Sequence, residues 1–232
     1  MIEIPQKRLL TVEKKEPSGS LLPPEYQQVE YIVFTGTQYI DSNYVANASD
    51  KPLWVEIDFR LTSTTVESSL FGANGSNSRN PLVIDTDINR NAWRFGHYGD
   101  PSVNGIGSFV RFGTLDTNRH TIKYVFNEGV YFDGVLVPET VEQAKIVSIP
   151  NCRIFIGATS VLNVQANKRA SMELCSVKFG ETSGVVRNWI GGYNKENGTI
   201  GLYDTCNSVN PTTNTPFYIN TGTGTFLKGA DV

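Results

Sequence analysis

Short runs of alternating apolar and polar residues, separated by turn-forming residues, make up most of the chain from residue 25 onward. The clearest run is WVEIDFRL at residues 54–61, in which Val55 and Ile57 alternate with Glu56 and Asp58. An alternation of period two places the apolar side chains on one face of a strand and the polar side chains on the other. The pattern therefore predicts a series of half-buried strands, as in a sandwich or jelly roll.

Further strands are predicted where similar runs recur between turn residues. They begin at Ser69 and lie in residues 81–85, 91–98, 120–137, 152–157, 171–179 and 185–190, with turns at 86–90, 127–129, 133–134 and 221–225. Aromatic residues make up 11% of the 232-residue chain and there are 21 glycines, which suits strands joined by tight turns. A chain of this length fits one all-β domain with a large core.

Charge and cysteine content argue against several classes of protein. The formal net charge is −3, so the sequence offers no basic surface for nucleic acid. The cysteines Cys152, Cys175 and Cys206 lack the spacing of a disulfide framework or a zinc site, and we expect buried free thiols. We expect no signal peptide, because residues 1–20 contain no apolar run long enough for one. We expect no membrane partner, because no segment approaches the ~20 apolar residues that span a bilayer.

Two motifs at opposite ends of the chain carry a family resemblance. Residues 25–41 read EYQQVEYIVFTGTQYID, and residues 201–226 read GLYDTCNSVNPTTNTPFYINTGTGTF. Together they resemble the first and last strands of concanavalin A-like (laminin-G-like) jelly-roll domains, which are common in proteins of phages and gut bacteria. Residues 120–137, HTIKYVFNEGVYFDGVLV, are similar to a pattern within the same family.

The resemblance implies an all-β, two-sheet antiparallel jelly roll over residues 21–232. The chain departs from the family at residues 187–192, which read RNWIGG where the family often has RDFIPC. This departure lies at the end of a predicted strand, so it leaves the expected fold unchanged. Family contacts at that strand end are not carried over to this chain.

Residues 1–20 differ in composition from the rest of the chain. They combine several lysines and glutamates with the sequence PSGS at residues 17–20, and two prolines follow at 23 and 24. Mixed charge with a Pro/Gly/Ser end is typical of an arm or linker, and a disordered tail is the alternative interpretation. We predict an N-terminal attachment arm that docks on a partner protein or on another copy of the chain.

Glu56 and Asp58 also suggest glycoside hydrolysis, because some concanavalin A-like glycosidases carry alternating carboxylates on one strand. A retaining mechanism needs two carboxyl groups about 5–5.5 Å apart in separate roles. Here the next outward position holds Arg60, so the second glutamate is missing from this strand. A hydrolase would require a second carboxylate opposite Glu56 on a neighbouring strand, and we expect a non-enzymatic protein.

Residues 85–91, DTDINRN, alternate oxygen-bearing side chains in a way that suggests calcium. An EF-hand type of loop has glycine at its sixth position and glutamate at its twelfth, whereas this chain has Arg90 and Gly96 there. Asp and Asn also form turns without a metal. We therefore predict a hairpin turn here, with no metal and no cofactor.

The best binding candidates are an aromatic and polar cluster near a predicted loop. Trp93, Arg94, His97 and Tyr98 combine ring faces with hydrogen-bonding groups, which suits sugar rings. Residues 100–111 would border the same site, because loops on a rigid sandwich carry most recognition. The alternative is that these aromatic residues pack in the core. His120, the other histidine, lies where the family places a histidine at the start of a strand, which points to packing.

These observations lead to one function and two alternatives. The expected function is that of a non-enzymatic phage virion protein, such as a capsid decoration, head-fibre or tail-appendage subunit. It would attach to other virion proteins through residues 1–20, form homo-oligomers and display a lectin-like domain toward host-surface glycan. The first alternative is a free carbohydrate-binding module or lectin of a gut bacterium, and the second is a glycoside hydrolase. The phage context comes from the resemblance and not from composition.

Overall fold

The computed structural model describes residues 21–45, 53–74, 81–97, 109–144, 152–163, 165–211 and 213–232. The predicted arm, residues 1–20, lies outside these residues. Within them the strands are β1 (Tyr26–Gln28), β2 (Ile32–Thr35), β3 (Ile40–Val45), β4 (Trp54–Leu61), β5 (Ser69–Asn74), β6 (Pro81–Asp87), β7 (Ala92–His97), β8 (Val110–Phe112), β9 (Arg119–Val125), β10 (Gly129–Phe132), β11 (Val135–Val137), β12 (Arg153–Ile156), β13 (Thr159–Val161), β14 (Gln165–Asn167), β15 (Ser171–Glu181), β16 (Gly184–Asn194), β17 (Ile200–Asp204), β18 (Phe217–Ile219) and β19 (Leu227–Lys228). A 3-10 turn (Pro138–Thr140) leads into one helical turn, α1 (Val141–Ala144).

The strands form two sheets that pack as a sandwich, so the predicted all-β, two-sheet antiparallel fold is confirmed. The larger sheet has eleven strands in the order β11-β10-β9-β4-β15-β16-β17-β18, with β1 beside β16 and β2 between β15 and β19. The smaller sheet has the order β14-β13-β5-β6-β7-β8, with β12 pairing with both β3 and β5. Its β5–β13 pair is parallel, whereas its other described pairs are antiparallel.

The predicted strand pattern is confirmed for β4 and for the three strands of residues 120–137. In β4, Val55, Ile57 and Phe59 are fully buried, whereas Glu56 and Asp58 are only half-buried. Strands β9, β10 and β11 form a three-stranded meander whose turns fall at the predicted positions. Strands β6 and β7 form the predicted hairpin, and it extends two residues further than expected because β6 continues to Asp87.

The core lies between the sheets and is rich in aromatic rings. Phe59 of the larger sheet meets Trp93 of the smaller sheet edge to face, with ring centroids 5.4 Å apart. Tyr124 and Phe95 make a second contact across the sandwich at 5.3 Å. Burial of large rings from both sheets supplies most of the free energy that holds such layers together.

The two end motifs meet in space. Strand β19, near the end of the chain, pairs with β2, near its start, through Leu227 opposite Val33. The turn at residues 221–225 folds over the residues after β2, because the Thr221 amide donates to the Tyr39 carbonyl at 2.8 Å. The pairing closes the edge of β2, which is otherwise a site for unwanted strand pairing.

The described residues contain no helix with the length and apolar character needed to cross a membrane.

Candidate functional site

The outward face of the larger sheet carries a concentration of polar side chains. We call this surface the polar face and define it by the outward residues of three adjacent strands: Trp54, Glu56, Asp58 and Arg60 of β4, Arg119, Thr121 and Lys123 of β9, and Glu173, Cys175, Ser176 and Lys178 of β15. The intervening residues of each strand fill the core, so strand alternation alone turns these side chains outward.

Glu56 lies at the centre of one row of cross-strand neighbours on the polar face. It pairs in register with Lys123 on β9 and with Lys178 on β15. The Lys178 ammonium lies 3.0 Å from Oε1 of Glu56, and the Lys123 ammonium lies 4.0 Å from Oε2. The positions opposite Glu56 therefore hold cations. The second carboxylate that glycoside hydrolysis requires does not lie opposite Glu56 on either neighbouring strand.

An open pocket of about 330 Å³ lies beside this row. We call it the Tyr131 pocket, and its lining residues are Glu56, Thr121, Lys123, Val125, Glu128, Tyr131 and Gly134. The Tyr131 hydroxyl donates a hydrogen bond to Oε2 of Glu128 at 3.0 Å, and this bond raises the pKa of Tyr131. The pocket thus presents an aromatic ring, carboxylates and an ammonium group on one rigid surface.

The indole ring of Trp54 borders the same row because of a glycine. Gly180 of β15 is directly opposite Trp54, and a Cβ atom at Gly180 would overlap the indole ring. The Lys123 ammonium lies 4.7 Å from the centroid of this ring, within the range of a cation–π contact. The absence of a side chain at Gly180 thus lets a half-buried tryptophan lie across the sheet next to Lys123.

Replacing Gly180 with alanine is expected to displace the Trp54 ring and leave the fold intact, because a half-buried side chain can swing toward solvent. The intrinsic fluorescence should shift to the red, and the substitution should lower the free energy of unfolding by no more than about 1–2 kcal/mol. A Trp54→Phe variant is the control that identifies the Trp54 contribution to the spectrum. Unchanged fluorescence in Gly180→Ala would contradict this placement of the ring.

A second depression on the polar face forms where β15 changes partners. On one edge β15 pairs with β2 as far as Leu174 and then with β16 from Ser176 onward. On the other edge Leu174 and Ser176 pair with consecutive residues of β4, so Cys175 is the extra residue of a β-bulge. The result is an open groove of about 470 Å³, which we call the Cys175 groove.

Two arginine–carboxylate pairs line the Cys175 groove. Arg119 donates two hydrogen bonds to the carboxylate of Asp58, each 2.7 Å long. Arg60 donates to Oε2 of Glu173 through Nε at 3.0 Å and through a terminal nitrogen at 2.5 Å. Both arginine side chains remain well exposed, so their outer edges can still donate to a bound molecule.

The three cysteines differ in environment, which corrects the expectation that all are buried. Cys152 is buried, Cys175 is partly buried and Cys206 is exposed in the turn after β17. Burial raises the pKa of both Cys152 and Cys175 to about 11. Because the thiolate is the reactive form, both thiols are expected to be inert near neutral pH.

A thiol titration should therefore give one fast phase and two slow phases at pH 8. Cys206 should react first because its thiol is exposed, and Cys152 should react last. The check is the time course with a chromogenic disulfide, using Cys206→Ser as the control that removes only the fast phase. Two fast thiols in the native protein would contradict the burial of Cys175.

Of the four predicted glycan-binding residues, Trp93 and Arg94 have described side chains, and neither lies on an open surface. Trp93 is fully buried, and its ring packs against Phe59, so we correct its assignment from ligand contact to core residue. His97 is the last residue of β7, and Tyr98 lies outside the described residues, as does nearly all of the predicted bordering loop at 100–111.

Arg94 is held inside a cluster of charges on the outer side of the smaller sheet. It donates two hydrogen bonds to Asp85, each 2.6 Å long, and the Lys168 ammonium lies 3.0 Å from the same carboxylate. The next acidic residue, Asp87, accepts from Arg111 at 2.6 Å, and this bond is the main cause that lowers the pKa of Asp87. Asp85 and Asp87 thus face the protein's own cations, and residues 85–91 form the predicted hairpin turn.

Sequence reasoning identified the outward residues of β4 but missed Tyr131, Lys123 and Lys178. The available signal was the register of the meander: residues 120–137 alternate in period two, which places Lys123 and Tyr131 on the same face. What the sequence could not give is which strands lie beside β4.

Comparison of the sequence with protein-family models and with curated proteins finds no match.

Proposed function

We propose that this chain is a non-enzymatic phage virion protein that displays a lectin-like sandwich and binds host-surface glycan through the polar face. A capsid decoration, head-fibre or tail-appendage subunit fits this description. The observation that carries the proposal is the pair of open depressions, the Tyr131 pocket and the Cys175 groove, on one side of a rigid sheet.

The chemistry of the polar face suits carbohydrate. A sugar ring offers hydroxyl groups that both donate and accept, together with C–H faces that pack on aromatic rings. The Tyr131 pocket supplies the matching groups: carboxylate acceptors from Glu56 and Glu128, donors from Lys123 and a phenol ring from Tyr131. Glu56, Lys123 and Tyr131 stand on paired strands, and Glu128 lies in the tight turn between β9 and β10, so little conformational freedom would be lost when a ligand binds.

The phage context of the proposal rests on the resemblance of the end motifs to concanavalin A-like domains, which is an analogy at the level of fold. In this proposal residues 1–20 attach the sandwich to other virion proteins, and several copies assemble symmetrically.

Glycan binding is tested by applying the purified protein to an array of bacterial surface glycans. We expect binding that falls at least tenfold in Tyr131→Ala and in Lys123→Ala, since each loses a group that contacts the ligand. Val209→Thr is the matched control, because Val209 is exposed and lies outside both depressions. No binding by the wild-type protein would overturn the assignment of the polar face. Binding by Tyr131→Ala and Lys123→Ala that equals wild-type binding would overturn it as well.

The virion role is tested separately by quantitative mass spectrometry of gradient-purified particles against the major capsid protein. A fixed copy number that fits the particle symmetry is the expected result. Absence from particles, combined with glycan binding, would replace the virion role with that of a free carbohydrate-binding module.

A further inference from the structure

His120 bridges a turn and a loop next to the Tyr131 pocket. Its Nδ1 lies 2.7 Å from Oδ2 of Asp133, and its Nε2 lies 2.9 Å from Oδ1 of Asp116. Asp133 belongs to the turn between β10 and β11, whereas Asp116 belongs to the loop between β8 and β9. The imidazole is only 11% exposed, whereas the Asp116 and Asp133 side chains are 42% and 47% exposed, so the ring is sheltered while both carboxylates face solvent.

Both contacts require a proton on the imidazole nitrogen. A neutral histidine carries one N–H and one lone pair, and it can donate to only one carboxylate. In the neutral form the second nitrogen would direct its lone pair at a carboxylate oxygen within hydrogen-bond distance. The geometry therefore matches the imidazolium form, which donates from both nitrogens and carries a positive charge between two negative ones.

The other groups around His120 are mostly aromatic. Phe132 of β10 lies with its ring centroid 4.6 Å away, and Trp93 of β7 lies at 6.3 Å. Phe59 is its register partner on β4, and the neighbouring Arg119 is directed to Asp58 on the opposite face. Asp116 and Asp133 are thus the charged groups that act on the ring from the elements described around it.

The turn that His120 holds also forms part of the pocket wall. The Thr121 amide donates to Oδ1 of Asp133 at 2.8 Å, so Asp133 joins the strand start to the turn through both carboxylate oxygens. Tyr131 and Gly134, on either side of the Phe132–Asp133 segment, line the pocket. Any loosening of this turn therefore moves the residues that the proposed glycan contacts.

We propose that His120 is a proton-dependent cross-link that ties the wall of the Tyr131 pocket to the loop carrying Asp116. The charged ring donates a hydrogen bond to both Asp133 and Asp116. The neutral ring donates to only one of them and leaves the negative charge of the other without a partner on the ring. As a regulator of ligand binding this inference rests on the proposed glycan function, but the cross-link itself does not depend on it.

The direction of the pH effect follows from the charges. Burial opposes protonation of the ring, but the hydrogen bonds that the ring donates to Asp133 and Asp116 outweigh it, and the pKa of His120 is raised above 6.5. A group whose pKa is raised by folding stabilises the native state fully below its unfolded value. That stabilisation is lost as the pH rises through the higher folded value. While both aspartates are ionised, the cross-link is therefore closed below the folded pKa of His120 and opens as the pH rises through that pKa.

The first test is the ¹⁵N NMR spectrum of the histidine rings of the full chain, with His120→Gln used to assign the two histidines. We expect both His120 nitrogens to be protonated at pH 6.5 and to titrate together at higher pH. A neutral His120 ring at pH 6.5 would overturn the proposal.

The second test is hydrogen exchange of the amides at residues 114–121 and 131–135, compared between wild type and variant at each pH. At pH 6 the amide protection factors of wild type should exceed those of His120→Gln by roughly tenfold or more, because the variant lacks one charge-assisted hydrogen bond. At pH 9 the ratio of the two protection factors should approach one. Asp116→Asn, which leaves the ring and Asp133 in place, should lower the His120 pKa and reduce protection to an intermediate level. A protection ratio that does not change with pH would contradict the cross-link.

The third test measures binding of the best array glycan at pH 6 and pH 9. Weaker binding at pH 9 by wild type but not by His120→Gln is the expected result, and equal pH dependence in both proteins would overturn the regulatory role. If no glycan binds at either pH, the proposed function fails, while the ring spectrum and the exchange ratios still decide whether the cross-link exists.

Discussion

Replacing Phe226 with alanine should destabilise the protein by about 3–5 kcal/mol, the usual cost of deleting a buried phenylalanine ring. Phe226 is 2% exposed, and its ring meets that of Phe34 edge to face at 4.7 Å. Phe226 is the buried apolar side chain of residues 221–232, which we call the closing segment, so the loss of its ring should loosen this segment from β2. We expect β19 to separate from β2 before the rest of the sandwich unfolds.

The measurement is urea unfolding combined with limited proteolysis of the closing segment. Leu227→Ala is a closely matched control, since Leu227 is the next residue but is 57% exposed, and its truncation should change stability by less than about 0.5 kcal/mol. Equal losses in the two variants would mean that Phe226 does not anchor the closing strand.

Replacing Asp204 with alanine should lower the free energy of unfolding by about 3 kcal/mol, because its buried carboxylate accepts hydrogen bonds from two part-buried amides that would be left without this partner. Asp204 is fully buried at the end of β17. Its Oδ1 accepts hydrogen bonds from the amides of Asn188 at 2.9 Å and Cys206 at 3.0 Å. The guanidinium of Arg187 lies 3.7 Å from Oδ2, so the variant would also leave a partly buried cation uncompensated.

Asp204→Asn is the control, because the amide oxygen can still accept both backbone hydrogen bonds while the charge is removed. We expect it to lose about half as much stability as the alanine variant, measured by urea unfolding at pH 7. If the asparagine variant is as unstable as the alanine variant, then the charge and not the two amide bonds is the main contribution of Asp204.

The sequence by itself predicted the fold class and most of the strands, because strand alternation is a local property. Residues 54–61 show why: Val55, Ile57, Phe59 and Leu61 are buried, and the alternate residues, Trp54 among them, lie on the other face. The turn at Asp133 and Gly134 was also predicted, because Asp and Gly tolerate positive φ angles. Both residues have positive φ angles in the structure. The same local reasoning identified Glu56 and Asp58 as outward residues.

The tertiary structure alone decided which surface those residues belong to. Trp93 was a reasonable ligand candidate from its neighbours in sequence, yet the packing of two sheets buries it completely against Phe59. Conversely, Lys178 is distant in sequence from Glu56 but becomes its partner because β15 pairs with β4. Alternation specifies which face of a strand is polar, but long-range pairing sets the neighbours on that face and is not encoded in any local pattern.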